Sequence, residues 1–453
     1  MTRPSPVLYV GLGLFIALLP IQWLAVGRVA GLAIKPFHLA LALVVLGLLL
    51  SRSALHALAA VVARCSAFIF AFALYLSAMV VALLWTSHLG QGFSILVKGA
   101  AYFAAFLVLA ASIALLPVDG LRRTTRTAVP AGLATFFLTA LVVFALIGQN
   151  LVAIYVNALA RGSVDELLYG IYPVLFRFGA TVSEGENVEQ AGTALRNTLV
   201  GAFIVHALLL WLFRGRSLPR DRIREAALTG ALALAILGVL LSISRSNILA
   251  LALCVLGAWT LRVVRAGFRP HVTRVFMVLL GVCLLFGVMT AAGMWEGVFR
   301  VASTRFGNLA ENPRIEMFED AVLLIDAHPL RGAGLGSEVH LSSGKDLRVH
   351  HRVLSAWLEM GLFGLVTSLA YYLALIVAWG TFVVRIVRES DFWKLDVAPE
   401  WVAVLPVLPM FRVQLSGSGS FTLVEWFCLA VFFGLWVRNT WAGERSEPPL
   451  VTT

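Results

Sequence analysis

From Leu8 to Val437 the chain keeps returning to apolar runs of about 20 residues, the length needed to cross the hydrocarbon core of a bilayer. No other feature constrains the fold so tightly, because in lipid every backbone polar group must be satisfied within the chain. The residues are 60% hydrophobic and only 13% charged, with a mean hydropathy of +0.91; a soluble domain carries roughly 25% charged residues. The sequence therefore reads as an all-α polytopic membrane protein. Its spans fall near 6–26, 33–50, 67–85, 95–116, 128–148, 197–213, 226–243, 246–261, 275–293, 360–384, 399–415 and 421–437, about twelve transmembrane helices in one integral membrane domain, 1–453. The first run lacks a small-residue cleavage site and continues the pattern of the others, so it reads as a span and not as a removed leader.

Charge sets the expected orientation. With the N-terminus in the cytoplasm, the inside segments collect Arg52 and Arg64, then Arg122, Arg123 and Arg126, then the arginines at 214–224 and 262–274, and finally Arg385, Arg388 and Lys394. The short outside turns carry no such clusters. This is the positive-inside pattern, and it predicts that both termini are cytoplasmic. It also accounts for the net charge of +11 through anionic membrane lipid, with no need for nucleic acid. The four cysteines, Cys65, Cys254, Cys283 and Cys428, lie in or beside apolar segments and form no metal-binding pattern.

Two outside segments are long, 149–196 and 294–359, and neither is low in complexity. In the second, NPRIEMFEDAVLLIDAHPL predicts a helix with Asn312 as N-cap and Pro313 at its first position. Ile315, Phe318, Val322 and Ile325 recur at helical spacing, His328-Pro329 ends the helix, and GAGLG (Gly332 to Gly336) makes a turn. As a nucleotide loop GAGLGS fails, since no strand precedes it and it lies outside the cytoplasm.

Charged groups on this outer side are the candidates for chemistry. Arg245, in SISRSN, stands between two apolar runs at the outer boundary, where a guanidinium needs a partner or must snorkel to headgroups. Arg314 lies on the loop helix, Arg177 in the first long loop, and Arg412 at the last outer turn. Their anions could be loop carboxylates, or a bound phosphate or diphosphate held by fork-like guanidinium bonds. In GKDLRVHHRVLSAWLEMGLFG, His350 and His351 precede the tenth span. A neutral imidazole there can take a proton from a sugar hydroxyl as general base, or simply face headgroups.

HHRVLSAWLEMGLFG resembles the signature of the bacterial O-antigen ligase and polymerase superfamily: a histidine, usually followed by Asn, Ser or Gln, then nine residues and GxxG. His350 takes the place of that histidine, Gly361 and Gly364 form GxxG, and His351 stands where the family prefers a small polar residue. Arg314 with its helix, HPLRGAGLG, and the Ser-Arg of SRS at Arg245 resemble the family's upstream elements, so the likeness runs from about Leu241 to Leu365. The resemblance implies a GT-C-like fold and a periplasm-facing, metal-independent inverting glycosyltransferase of the bacterial inner membrane, without a cofactor. Its donor would be a glycan on undecaprenyl diphosphate and its acceptor a lipid A-core or a second lipid-linked glycan. His350, Arg245 and Arg314 would be the catalytic set; Arg177, Arg412 and His351 would be diphosphate- or sugar-binding, with Arg177 and Arg412 alternatively structural.

Ligase and polymerase share this donor chemistry, and the motif does not separate them; the sugar repeat and the oligomeric state are not encoded in it either. The rival reading is a twelve-span transporter of a polar or lipid-linked solute, for which Lys35, beside Pro36, and Lys98 are the best features. A transporter tends to show repeated halves with polar breaks at the midplane, whereas here the polar residues gather at one face.

Overall fold

The computed structural model describes residues 4–22, 27–29, 32–146, 153, 156–157, 160–161, 188–213, 222–241, 245–266, 313–340, 346–347, 349, 351–416 and 422–444. They are overwhelmingly helical. The helices are α1 (Pro6–Leu18), α2 (Pro36–Leu49), α3 (Ala54–Arg64), α4 (Ser66–Ala82), α5 (Leu89–Leu115), α6 (Val118–Leu146), α7 (Val188–Leu212), α8 (Arg222–Leu241), α9 (Arg245–Ala266), α10 (Pro313–Ala327), α11 (Arg352–Arg388), α12 (Pro399–Val404), α13 (Val407–Ser416) and α14 (Leu423–Glu444). Two short antiparallel ladders interrupt them: β1 (Gly27–Val29) with β2 (Leu32–Ile34), and β3 (Val339–His340) with β4 (Asp346–Leu347).

By length and hydropathy, four described helices can cross a membrane: Leu89–Leu115, Ser246–Arg265, Arg352–Arg388 and Leu423–Ala442. α2 and α3 pass the same test only as a pair bent by 107° at the break between them, a broken span or a re-entrant loop, and shorter apolar helices such as Pro6–Ile21 and Ser66–Ala82 stand among them. The expected run at 275–293 lies outside the described residues.

Several boundaries move. α3 is helical where an inside loop is expected, and α6 begins at Val118, so Arg122, Arg123 and Arg126 lie on its first turns and not in a loop. Hydropathy marks only the stretch that lipid can cover, while the helix continues through polar residues that still satisfy their backbone. α5 and α11 likewise start before the apolar runs that announce them.

The core is aromatic where α4, α5, α11 and α14 meet. Phe68 and Phe72 of α4, Phe106 of α5, Tyr371 of α11 and Trp426 of α14 are all buried, with ring centroids 4.8–6.1 Å apart. Offset and edge-on ring pairs of this kind hold helices at fixed rotation.

One end of the bundle is tied by charge. Arg122, 1% exposed, binds Asp119 and Asp396 at 2.8 and 2.7 Å. Arg265 donates to Glu400 at 2.8 Å and to the Ile386 carbonyl at 3.0 Å. Arg438 reaches the carbonyls of Ala114 and Leu115. These contacts fasten the C-terminal ends of α5, α9, α11 and α14 at one level. The opposite end, where α5, α9 and α11 begin, is left for the site.

Candidate functional site

At that opposite end, α11 is broken. Gly361 sits at φ 65°, ψ −155° inside an otherwise helical run. Such a φ is open to glycine and costly for other residues, and a Cβ at Gly361 would also collide with the Leu330 carbonyl. The break leaves carbonyls of the first segment without their usual partners four residues on, and the Gly-rich turn supplies substitutes. Ala333 N–H donates to the Leu358 carbonyl at 2.7 Å and Gly334 N–H to the Glu359 carbonyl at 3.0 Å; Leu362 N–H turns aside to the Leu330 carbonyl at 3.2 Å. The turn 328–337 is thus stitched into the helix, with Gly332, Gly334 and Gly336 all at positive φ.

Side chains complete the joint. Glu359, buried, accepts from Gly336 N–H at 3.3 Å through Oε2 and from the Ser355 hydroxyl at 2.9 Å through Oε1. Thr86, before α5, donates its hydroxyl to the Leu335 carbonyl at 2.8 Å, and Gln91 on α5 donates Nε2–H to Glu338 at 3.0 Å. Trp357 donates its indole N–H to the Pro329 carbonyl at 3.3 Å. α10 lies across this assembly, with Met317, Ala321 and Ile325 buried against Val349 and Leu358.

The helix runs from Pro313 to Ala327 as its sequence predicts; Met317, Ala321 and Ile325 are its buried residues, Phe318 packs beside them, and Val322 is exposed.

His351 is the N-cap of α11. Its Nδ1 accepts the Leu354 N–H at 3.3 Å, and its ring stands edge-on to Phe318 at 6.3 Å. Burial pushes its pKa below the ordinary histidine value, so the ring is neutral near pH 7 with its proton on Nε2. His351 therefore does what a small polar residue does at a cap, with Nε2–H left over as a donor. Next to it Arg352 is 2% exposed, its guanidinium 5.2 Å over the Tyr75 ring, with Tyr371, Tyr372 and the Glu425 carboxylate in electrostatic reach. A buried cation held this way pins the start of α11 to α4 and α14.

The structure places the other expected residues through their backbones. Arg245 is the first residue of α9, about 30 Å along the helix axis from Arg265 at the charge-tied end. Arg314 is the second residue of α10, and Arg412 lies on α13, which packs along α9. Arg177 and His350 lie outside the described residues; His350 is flanked by the buried Val349 and by His351. Arg245, Arg314 and His351 thus belong to elements that gather at the same end. Glu359, Ser355, Thr86 and Arg352 are missed by sequence reasoning; the only signal is a buried-type Glu one helical turn after a Ser and just before GxxG.

A family model described as O-antigen ligase matches residues 230–369, about a third of the chain. That segment spans α9, α10, the Gly-rich turn, the helix cap and the break at Gly361, so this part of the chain is of the O-antigen ligase superfamily. Together with the apolar helices it indicates a multi-pass protein of the bacterial inner membrane and a glycosyltransferase-like enzyme. No curated protein matches the chain.

Proposed function

We propose, from an O-antigen ligase segment set in a bundle of apolar helices, that the protein is a periplasm-facing inverting glycosyltransferase. It transfers a glycan from undecaprenyl diphosphate to a sugar hydroxyl, on lipid A-core or on a second lipid-linked glycan. The observation that carries this reading is the convergence of the matched segment's elements, the starts of α9, α10 and α11 and the Gly-rich turn, at one end of the bundle. The charge pattern of the sequence puts that end outside, with both termini in the cytoplasm, in a GT-C-like arrangement of about twelve spans.

The chemistry divides among residues already named. Arg245 and Arg314 hold the diphosphate and stabilise the charge that builds on it as the glycosidic bond to phosphate breaks. His350 takes the proton of the attacking acceptor hydroxyl, and attack from the far face of the anomeric carbon inverts it. His351 contributes as the cap that fixes where the preceding residue stands, and its Nε2–H is a donor to sugar. Arg177 and Arg412 bind sugar or diphosphate, or have a structural role. The reaction as written needs no metal and no cofactor.

Deletion in the native host, followed by electrophoresis of lipopolysaccharide and assay of secreted polysaccharide, tests the reading. Core without O-chain while lipid-linked polymer accumulates identifies a ligase; core with a single repeat, or loss of a long secreted polymer, identifies a polymerase. An unchanged glycan profile overturns the proposal.

A further inference from the structure

The charge-tied end of the bundle holds a cavity that the transfer site does not use. Its volume is about 440 Å³, and it lies between the start of α6, the loop that joins α11 to α12, and the end of α14. Sites for small ligands run from roughly 300 to 1,000 Å³. Two carboxylates and two cations line it, Asp119, Asp396, Lys394 and Arg438, with the Trp441 indole beside them. Asp119 and Asp396 are 72% and 65% exposed, so the carboxylates that hold the buried Arg122 also face the cavity.

The walls are fixed by the protein itself. Asn439 of α14, buried, accepts the Lys394 backbone N–H at 2.7 Å through Oδ1 and donates Nδ2–H to the Phe392 carbonyl at 2.7 Å. Arg122 binds the Asp396 carbonyl as well as its carboxylate, and the Trp393 indole N–H donates to the Val397 carbonyl at 2.8 Å. Three side chains thus shape the loop 392–397, so a ligand need not order it on arrival. Arg438 Nη1 donates to the carbonyls of Ala114 and Leu115, which holds that guanidinium against the turn between α5 and Asp119. Trp441 stacks on His56 of α3, 5.4 Å between ring centroids.

The depth of the cavity says what can reach it. Trp211 near the end of α7 and Trp401 in α12 stack at 4.7 Å, Trp393 stands in the loop, and Trp441 lies near the end of α14. Tryptophans gathered at the ends of apolar helices mark the level of lipid headgroups, and the exposed Arg52, Arg123 and Arg388 stand at helix ends of the same side. We infer that the cavity binds the headgroup of an aminophospholipid, phosphatidylethanolamine, with its phosphate on Lys394 and Arg438 and its primary ammonium on Asp119 and Asp396. Phosphate offers acceptor oxygens and negative charge to the two cations, and the ammonium offers N–H donors and positive charge to the two carboxylates. A glycerol headgroup brings no cation for the carboxylates, and a choline headgroup brings a cation without an N–H. The bound lipid clamps the α5–α6 turn, the α11–α12 loop and α14 at the end opposite the transfer site. The inference needs the membrane class of the protein alone, and neither glycan transfer nor the side that this end faces.

Native mass spectrometry of the delipidated full chain tests it without measuring transfer, by parallel titration with phosphatidylethanolamine, phosphatidylcholine and phosphatidylglycerol of the same acyl chains. The wild type should bind phosphatidylethanolamine about tenfold more tightly than either of the others, the worth of one charge-assisted hydrogen bond. Asp119→Asn, which leaves Arg122 its pairing with Asp396, should bind the ethanolamine and choline lipids alike. Lys394→Gln, at an exposed position whose bond to α14 is made by its backbone, should lose about tenfold in affinity for phosphatidylethanolamine, and Lys394→Arg should keep it. Lys98→Gln, exposed on α5 about 25 Å along the axis from the last residue of that helix, is the control and should change nothing. Should Asp119→Asn not fold, Lys394→Gln and the comparison of the ethanolamine and choline lipids on the wild type decide. Equal binding of those two lipids by the wild type, or tighter binding of phosphatidylglycerol, overturns the inference. So does discrimination kept in Asp119→Asn, full affinity in Lys394→Gln, or an equal loss in Lys98→Gln.

Discussion

Gly361 and Leu330 meet backbone to backbone: the Leu362 N–H that follows Gly361 donates to the Leu330 carbonyl at 3.2 Å, and Gly361 holds φ 65° to allow it. The first glycine of GxxG is therefore a joint between a helix and a turn. Gly361→Ala adds a strained backbone, on the order of 1–3 kcal/mol, and a Cβ in the path of the Leu330 carbonyl. Transfer should be lost with a clear drop in melting temperature in detergent. Gly380→Ala in the same helix meets no atom within 4 Å and should be stabilising by about 0.5–1 kcal/mol. Equal effects of the two substitutions would remove the joint from the account.

The Glu359 carboxylate makes a second test of that joint. Glu359→Ala leaves Gly336 N–H buried without its acceptor, a cost of about 1–3 kcal/mol, and should loosen the Gly-rich turn. Glu359→Gln can still offer an oxygen to Gly336 while its NH2 donates to the Ser355 hydroxyl, so it should stay within about 1 kcal/mol of wild type. Hydrogen exchange of the Gly334–Gly336 amides reads the difference directly: faster in the Ala protein, near wild type in the Gln protein.

How much of this was legible beforehand follows from which residues face lipid and which face protein. The class and most helices show in hydropathy, because lipid-facing surface must be apolar. α10 shows in Pro313 and His328-Pro329, which fix its ends locally. The break at Gly361 does not show: GxxG also reads as ordinary close packing, and only the partner strand of backbone at Leu330 makes φ 65° necessary. α3 is hidden for the converse reason, since Ser51, Arg52 and Ser53 before it and Arg64 at its end read as a loop, and its 107° bend from α2 cannot be seen in hydropathy. Of the candidate site, the gathering of α9, α10 and α11 at one end agrees with the motif order, whereas the cap role of His351 depends on a single hydrogen bond that spacing cannot reveal.

His351 gives the pH prediction. Its pKa in the folded protein lies below the ordinary value of about 6.5 because burial disfavours the charged ring. A lowered histidine pKa contributes stability that is present above about pH 6.5 and lost as pH falls through the folded value; protonation also removes Nδ1 as the cap acceptor. Melting temperature should therefore fall between pH 7 and pH 5. His351→Asn, a good cap that does not titrate, should flatten that dependence and retain transfer. His351→Ala should cost about 0.5–2 kcal/mol at pH 7.

Orientation is testable at two exposed positions at opposite ends. Ala327 closes α10 beside the Gly-rich turn, and Ser390 follows α11 at the charge-tied end. A membrane-impermeant maleimide should label Ala327→Cys in cells with permeabilised outer membranes and Ser390→Cys only after lysis. The described native cysteines, Cys65, Cys254 and Cys428, are buried and should stay silent. The reverse pattern would move the site to the cytoplasm, where no outer-leaflet donor could reach it.

The transfer step itself rests on Arg245, Arg314 and His350. If the two arginines stabilise charge on the departing diphosphate, each Ala substitution should cost about 2.7–4 kcal/mol in barrier, a loss of roughly 100- to 1000-fold. His350→Ala should lose about 10²–10⁴ in rate by removal of the base. Both losses belong in kcat, with the protein still inserted and melting near the wild-type temperature. Lysine at Arg245 or Arg314 keeps charge but not the bidentate fork and should recover only part of the rate. Assay of glycan transfer from purified lipid-linked donor separates the cases: full activity in all three Ala variants would remove this mechanism while leaving the helix joint at Gly361 to stand on its own measurements.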